Sequence, residues 1–176
     1  VGSEMCIRDS IIIDDDRWTK LIKNADEWAE EVFETALSYL QEQDLGWEIG
    51  FDKPIIVTLD LNNDAEVQKL NAEFRGKDKP TNVLSFANID DDEFVNGLEE
   101  ADEIELGDII IALETLEAEA EQKGILLKDH FAHLLIHGIL HLFGYDHQDD
   151  DEADEMEGIE IQILQNLNIR NPYEEQ

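Results

Sequence analysis

Four of the five histidines lie in one short stretch, HLLIHGILHLFGYDH, which spans residues 133 to 147. Within it His133, His137 and His141 are spaced by four, so on a helix their imidazoles lie one turn apart on a single face. Two imidazoles at this spacing can converge on one metal ion. The pattern therefore points first to metal chemistry.

The residues that follow extend this pattern. Gly144 stands where the helix should stop, because a glycine can adopt the left-handed conformation of a C-cap and turn the chain back. That turn would bring His147 to His137 and His141, and the full spacing, HxxxHxxGxxH, is that of the metzincin zinc peptidases. We predict one zinc ion per chain, held by these three histidines with a water in the open position, while the other two histidines lie outside the ligand set.

One position separates two chemistries. In HExxH peptidases the residue after the first histidine is the glutamate that acts as general base, and here that residue is Gly138. A peptidase would lack its base. Asp146 either substitutes in part as a catalytic group or orients a ligand histidine. An ion held by three neutral imidazoles can acidify a bound water or polarise a phosphoryl or carbonyl oxygen.

Charge is the strongest compositional signal, because 45 acidic against 12 basic residues give a net charge of −33. Such a surface repels nucleic acid and anionic lipid at long range. It is explained by a need for solubility, by adaptation to a saline cytoplasm or by binding to a basic partner protein. The exception is KLNAEFRGKDK, which concentrates positive charge. We predict that Arg75, Lys77 and Lys79 bind phosphate; the alternative is a helix-end cluster that balances nearby carboxylates.

Hydrophobic periodicity predicts the elements that position these residues. Helices are predicted over residues 17–43, 64–75, about 128–143 and 150–167, strands over 53–60 and 81–88, and a strand that passes into a helix over 107–124. Strands come early and helices late, which indicates an α+β fold with a small mixed sheet packed against helices. Without an apolar run long enough to span a bilayer, we expect a soluble protein that binds no membrane.

Residues 1–10, VGSEMCIRDS, read as a non-native or disordered leader, and residues 11–176 as a single metallohydrolase domain. The leader holds the only cysteine, Cys6, which has no internal partner for a disulfide. We therefore expect a cytoplasmic location.

The histidine motif matches a known family. HGILHLFGYDH resembles the signature HGxLHLxGYDH of the YbeY family of ribosomal RNA maturation endoribonucleases, and LNAEFRGKDKPTNVLSF resembles the family's second signature. LGDIIIALE and the terminal NPY are also similar to family segments. The resemblance implies a zinc-dependent, single-strand-specific endoribonuclease that acts in small-subunit rRNA 3′ maturation and ribosome quality control, on a zincin-like α+β fold.

The resemblance also implies roles for residues and partners. His137, His141 and His147 would be the zinc ligands, and Arg75 would be a catalytic arginine that stabilises charge on the phosphate. Asn82 stands where the family usually has Asp, which removes a negative charge from the proposed site. The expected partners are single-stranded RNA and the small ribosomal subunit with its proteins, and DNA is not expected.

Two other functions stay open from the residues. The protein could be a ribosome-assembly binding module with a structural metal, although a structural zinc usually has four protein ligands and only three are evident. It could also be a metallopeptidase, which the glycine at position 138 disfavours.

Overall fold

A computed structural model describes residues 11–43, 45, 53–77, 81–145 and 149–173. Those residues form four strands, β1 (Ile11–Ile13), β2 (Ile55–Asn62), β3 (Val83–Ala87) and β4 (Ile104–Ala112). Their helices are α1 (Arg17–Leu21), α2 (Ala25–Glu42), α3 (Asp64–Arg75), α4 (Asp92–Asn96), α5 (Leu113–Lys123), α6 (Leu127–Leu142) and α7 (Asp150–Asn166). The predicted α+β fold with a small mixed sheet is confirmed. The predicted leader, residues 1–10, lies outside the described residues.

The four strands form one sheet in the order β1-β2-β4-β3. β1, β2 and β4 are parallel, whereas β3 runs antiparallel to β4. The register of β2 against β4 shifts between Ile56 and Val57, where Val57 pairs with Gly107. Gly107 has a φ of +150°, and a Cβ there would lie 2.2 Å from the carbonyl oxygen of Phe86 on β3. Only glycine therefore allows β3 to approach β4 this closely.

The two faces of the sheet are covered unequally. Helices α2, α6 and α7 pack on one face, and their buried side chains share one core with those of β2 and β4, including Phe33, Leu37, Leu59, Ile109, Phe131 and Ile163. On the other face α3 packs a smaller cluster of Val67, Leu84, Ile110 and Ala112. The second half of β4, from Ile109 to Ala112, is buried on both faces because it lies between these two layers. The histidine helix α6 thus rests on the larger core.

The prediction of one helix over residues 17–43 is wrong, because the chain forms α1 and α2 with a break at Asn24, whose φ is +54°. Trp18 on α1 is fully buried, and its indole Nε1 donates a hydrogen bond of 2.8 Å to the carbonyl oxygen of Asn62 at the end of β2. This tertiary contact holds α1 against the sheet.

Three further elements differ from the predicted ones. The short strand β1 was not predicted, β4 begins at Ile104 rather than at residue 107, and the acidic stretch near residue 92 forms α4. The predicted helices at 64–75, 128–143 and 150–167 match α3, α6 and α7 to within one or two residues. No helix in the described part of the chain has the length and apolar character to cross a membrane.

Candidate active site

The C-terminal end of α6 carries the predicted metal-binding motif. The helix ends at Leu142, and Gly144 follows in the left-handed region with a φ of +97°. Backbone N–H groups of Gly144 and Tyr145 donate back to the carbonyl oxygens of His141 and Leu140 and close the last turn. The predicted end of the helix is confirmed. Asp146 and His147, as well as Lys79, lie outside the described residues.

His137 and His141 meet at this end of α6. Their rings are edge to face with centroids 4.5 Å apart, and their Nε2 atoms are separated by 3.0 Å. The Nδ1 atom of His137 lies 3.1 Å from Oε2 of Glu160, and that of His141 lies 2.9 Å from the backbone carbonyl oxygen of Tyr145. Both acceptors need a hydrogen on Nδ1, so both rings take the tautomer with a lone pair on Nε2.

This arrangement fits a metal ion. Two lone pairs that face each other at 3.0 Å repel unless a cation or a proton lies between them. Two nitrogen ligands of a tetrahedral zinc, each about 2.0 to 2.1 Å from the ion, are themselves about 3.3 Å apart. The carboxylate and the carbonyl that hold the two Nδ1 atoms are the usual partners of metal-binding histidines. Among the described residues no group of three or more His, Cys, Asp or Glu side chains could hold an ion, and His147 is not among them.

Glu160 on α7 organises the histidine helix. Its side chain is fully buried, and its carboxylate accepts hydrogen bonds from His133 Nε2 at 2.7 Å, His137 Nδ1 at 3.1 Å and the Tyr173 hydroxyl at 2.7 Å. Burial by itself raises the pKa of Glu160, but the hydrogen bonds from the two histidines outweigh it and lower the pKa to about 2. A buried anion therefore sits directly behind His137.

Tyr173 closes this network from the end of the described chain. Its hydroxyl donates to Glu160 and lies 3.1 Å from Nε2 of His133, whose ring it meets edge to face. Burial, and then the hydrogen bond to Glu160, raise the pKa of Tyr173 above its usual range. His133 is buried, and its Nε2 contacts the carboxylate of Glu160. Its place outside the ligand set stays a prediction.

Two of the predicted phosphate-binding residues, Arg75 and Lys77, lie at the end of α3. The guanidinium of Arg75 donates a hydrogen bond of 2.6 Å to the carbonyl oxygen of Ser85 and lies over the ring of Phe86, 5.3 Å from its centroid. Gly76, in the left-handed conformation, ends α3, and Lys77 follows it as an exposed side chain. Neither cation forms an ion pair with a carboxylate of the described residues.

One cavity of about 900 Å³ joins these groups, and we call it the main cleft. Its lining includes His137, His141, Arg75 and Lys77, together with Lys123 from α5, which the sequence analysis did not single out. The structure thus brings together residues from α3, α5 and α6. A chain with a net charge of −33 here has three cations beside a histidine pair.

Gly138 faces the core rather than the main cleft. A Cβ at this position would lie 3.1 to 3.4 Å from three side-chain atoms of Ile109 on β4. A larger side chain at position 138 would therefore start against Ile109, which would have to give way. The close packing of α6 on β4 at this position favours a glycine over the glutamate of HExxH peptidases.

Sequence comparisons identify the family. The pattern of one family, described as Endoribonuclease YbeY, matches residues 12–168. The chain belongs to the YbeY endoribonuclease family. A relative named Endoribonuclease YbeY from Paramagnetospirillum magneticum is 51% identical over 127 residues, which cover 71% of this chain and 75% of the relative. Another of that name from Sphingopyxis alaskensis is 51% identical over 122 residues, covering 68% of this chain and 72% of the relative.

A solved structure shares the fold of this chain. The solution structure of a Thermotoga maritima protein matches with a TM-score of 0.52 and 22% sequence identity, and the match covers 90% of this chain and 91% of that one. At this identity the likeness concerns the fold alone. The family assignment rests on the sequence matches.

The two residues of the network behind the histidines, Glu160 and Tyr173, were also missed from the sequence. Glu160 lies one turn after Met156 and one turn before Ile163, on the apolar stripe by which α7 contacts the core. A carboxylate on such a stripe is rarely left unpaired, so its position was a signal that could have been used. For Tyr173 the only signal in the sequence was that the terminal NPY is similar to a segment of the family.

Proposed function

We propose that this chain is a zinc-dependent, single-strand-specific endoribonuclease that acts in small-subunit rRNA 3′ maturation and ribosome quality control. Membership of the YbeY family supports the reaction class. The observation that carries the proposal is the pair of Nε2 atoms of His137 and His141, 3.0 Å apart, in the same cleft as the Arg75 guanidinium. A metal-ligand pair and a phosphate-binding cation are what phosphodiester hydrolysis needs in one site.

His137, His141 and His147 would hold one zinc ion, which when bound polarises a phosphoryl oxygen and lowers the pKa of a bound water. Glu160 fixes the tautomer of His137, and the Tyr145 carbonyl fixes that of His141. Asp146 either orients His147 or exchanges a proton with the substrate.

Arg75, Lys77 and Lys79 would bind the RNA backbone. One of the five guanidinium N–H donors of Arg75 bonds to Ser85, so the side chain is anchored and has donors left for a phosphate. Its stack on Phe86 restricts it further. A held guanidinium stabilises charge on the phosphate more effectively than a mobile one, because less order has to be imposed during the reaction.

The cellular setting belongs to the same proposal. We propose a cytoplasmic protein whose partners are single-stranded rRNA and the small ribosomal subunit with its proteins. The net charge of −33 disfavours DNA duplexes and anionic membranes as partners and favours contact with basic proteins outside the main cleft.

The test is cleavage of labelled single-stranded RNA by zinc-loaded protein, beside double-stranded RNA, single-stranded DNA and casein, with and without a chelator. We expect cleavage of single-stranded RNA alone, lost with chelator and restored by stoichiometric zinc. A double variant, His137→Ala with His141→Ala, is carried through every arm, because free zinc also hydrolyses RNA.

Other outcomes identify the alternatives. The protein would be an assembly module and not an enzyme if it bound RNA or ribosomes without cleavage and held zinc by four protein ligands. Chelator-sensitive casein hydrolysis would establish a peptidase. RNA cleavage that persists in the double variant would separate the activity from the histidine pair.

A further inference from the structure

A second group of polar side chains lies in the main cleft. Glu119 on α5 lines it with Asn82, which directly precedes β3, and with His130 on the first turns of α6. Each residue comes from a different element. Glu119 is the acceptor in this group, whereas Glu160 is the acceptor behind His137, so the two carboxylates hold different side chains.

Two donors hold the carboxylate of Glu119. His130 Nε2 lies 2.9 Å from Oε1, and Asn82 Nδ2 lies 3.1 Å from Oε1 and 3.3 Å from Oε2. The side chain of His130 is only 1% exposed, whereas that of Glu119 is 32% exposed. The carboxylate is thus held from behind by two fixed side chains, and its more weakly bonded oxygen, Oε2, has room for another donor.

Both donors are neutral, so neither cancels the negative charge. Burial lowers the pKa of His130, against the opposing effect of its hydrogen bond to Glu119, so the imidazole is uncharged at neutral pH. Asn82 is an amide. Lys123, one turn after Glu119 on α5, forms no ion pair with it within the described residues.

The fixed carboxylate of Glu119 is unexpected in a phosphate-binding cleft, because its negative charge repels the substrate's phosphates. An ionised carboxylate only accepts hydrogen bonds, so any favourable contact with the substrate needs a donor there. In single-stranded RNA every nucleotide offers a 2′-hydroxyl, whereas the donors of the bases differ from one base to the next. A single strand therefore presents a 2′-hydroxyl to the cleft whichever of its nucleotides is bound there.

We infer that Glu119 accepts a hydrogen bond from a ribose 2′-hydroxyl and thereby selects RNA over DNA. The inference rests on the proposed function, and it adds a specificity-determining residue outside the metal site. Asn82 and His130 position the carboxylate and do not contact the ribose. An Asp at position 82 would place a second carboxylate, which has no N–H to donate, against Glu119, and the two would repel each other. The amide at position 82 instead donates to Glu119 and holds its carboxylate in place.

The experiment compares two ligands that differ only in the hydroxyl. Binding of zinc-loaded protein to fluorescent oligouridylate and to oligodeoxyuridylate of the same length is measured by anisotropy in the cold, with gels to show that the RNA stays intact. We expect the wild type to bind the ribose form about 10-fold or more tighter, as for a hydrogen bond to a charged group. In Glu119→Ala the ratio of the two affinities should fall to about 1 to 2.

Glu117→Ala is the matched control, because it removes the same charge from an exposed position of α5. Losing a negative charge should strengthen binding of both oligonucleotides in either variant, and the ratio cancels this common effect. Glu117→Ala should therefore keep the wild-type ratio. Asn82→Asp should lower it, with zinc content and melting temperature showing that each variant is folded.

Three results would overturn the inference: a wild-type ratio near 1, a Glu119→Ala ratio equal to that of the wild type, or an equal fall in Glu117→Ala. If the wild type still cleaves RNA in a chelator-sensitive way, these results disprove only the role of Glu119 and leave the proposed function standing. If the wild type neither binds nor cleaves single-stranded RNA, the proposed function fails as well.

Discussion

The ring nitrogens of His137 and His141 face each other at 3.0 Å, while each ring is held from behind by a different acceptor. His137 depends on a buried carboxylate of α7, and His141 on the backbone of the turn that ends α6. The two ligands of the proposed metal site are thus fixed by separate parts of the fold. This separation allows the contributions of ligands, orienting groups and phosphate-binding groups to be tested one at a time.

Removing either histidine should abolish metal binding and cleavage together. In His137→Ala or His141→Ala only two of the three proposed ligands remain, and two ligands hold zinc poorly at neutral pH. Metal analysis after gel filtration should show a loss of zinc that parallels the loss of RNA cleavage, with the circular dichroism of the wild type retained. A full complement of zinc in both variants would contradict the site.

Arg75 should matter for cleavage and not for zinc. Arg75→Ala should reduce the single-turnover cleavage rate about 100-fold, by analogy with the loss of one electrostatic donor. Arg75→Lys should recover only part of this, because an ammonium cannot make the paired contacts of a guanidinium. Lys77→Ala, an exposed neighbour, is the control for simple charge and should have a smaller effect. Loss of zinc in Arg75→Ala would mean that its bond to Ser85 serves the structure instead.

Glu160 should tune zinc affinity. Glu160→Gln can still accept a hydrogen bond but loses the charge behind His137, so the Kd for zinc should rise about 10- to 100-fold. Tyr173→Phe leaves both histidine bonds to Glu160 intact and should have a smaller effect. Glu155→Gln, exposed on the same helix, serves as the control. An equal zinc Kd in wild type and Glu160→Gln would leave the carboxylate a purely structural role.

Asp60 should make the fold less stable as pH rises. Burial, and then hydrogen bonding to Asp14, raise the pKa of Asp60 from 3.8 to about 6, and its Oδ1 atom is buried without a hydrogen-bond partner in the described structure. A pKa that is higher in the folded chain than in the unfolded chain favours folding below about pH 4, and this stabilisation is lost as pH rises through about 6. Asp60→Asn should therefore raise the melting temperature by a few degrees at pH 8 but not at pH 4.

Thermal scans of Asp60→Asn need a control for net charge, which Asp102→Asn supplies from an exposed bend. Removing any one charge from this acidic chain should raise stability slightly at both pH values. An equal gain for the two variants at pH 8 would show that the environment of Asp60 has no particular effect.

Gly107 should tolerate no side chain. Gly107→Ala would place Cβ 2.2 Å from the Phe86 carbonyl oxygen and 2.8 Å from Leu142 Cδ2, so β3 or α6 must move. We expect a loss of about 3 kcal/mol or more in the free energy of unfolding, or roughly 6 to 12 °C in melting temperature. Gly158→Ala is the matched change, because nothing lies within 4 Å of its Cβ on α7, and it should stabilise the chain slightly. A wild-type melting temperature for Gly107→Ala would show that the strands can separate there at little cost.

The sequence by itself determined the features that depend on local spacing. The i, i+4 spacing of His137 and His141 sets them one turn apart on any helix, and Gly144 then ends that helix because it can take a positive φ. Hydrophobic periodicity is also a local property, and it predicted α3, α6 and α7 and the mixed α+β class. His147, Asp146 and Lys79 remain predictions, since they lie outside the described residues.

Only the tertiary structure decided which distant groups meet. Glu160 reaches His137 from 23 residues away, and Glu119 meets Asn82 from 37 residues away, through the packing of whole helices against one sheet. The same packing broke the predicted helix over residues 17–43, because burying Trp18 against the end of β2 outweighed the continuous helical pattern. Periodicity shows which face of an element is buried. Which side chain lies opposite is settled only when the elements pack, because each contact then depends on the position of every other element in the core.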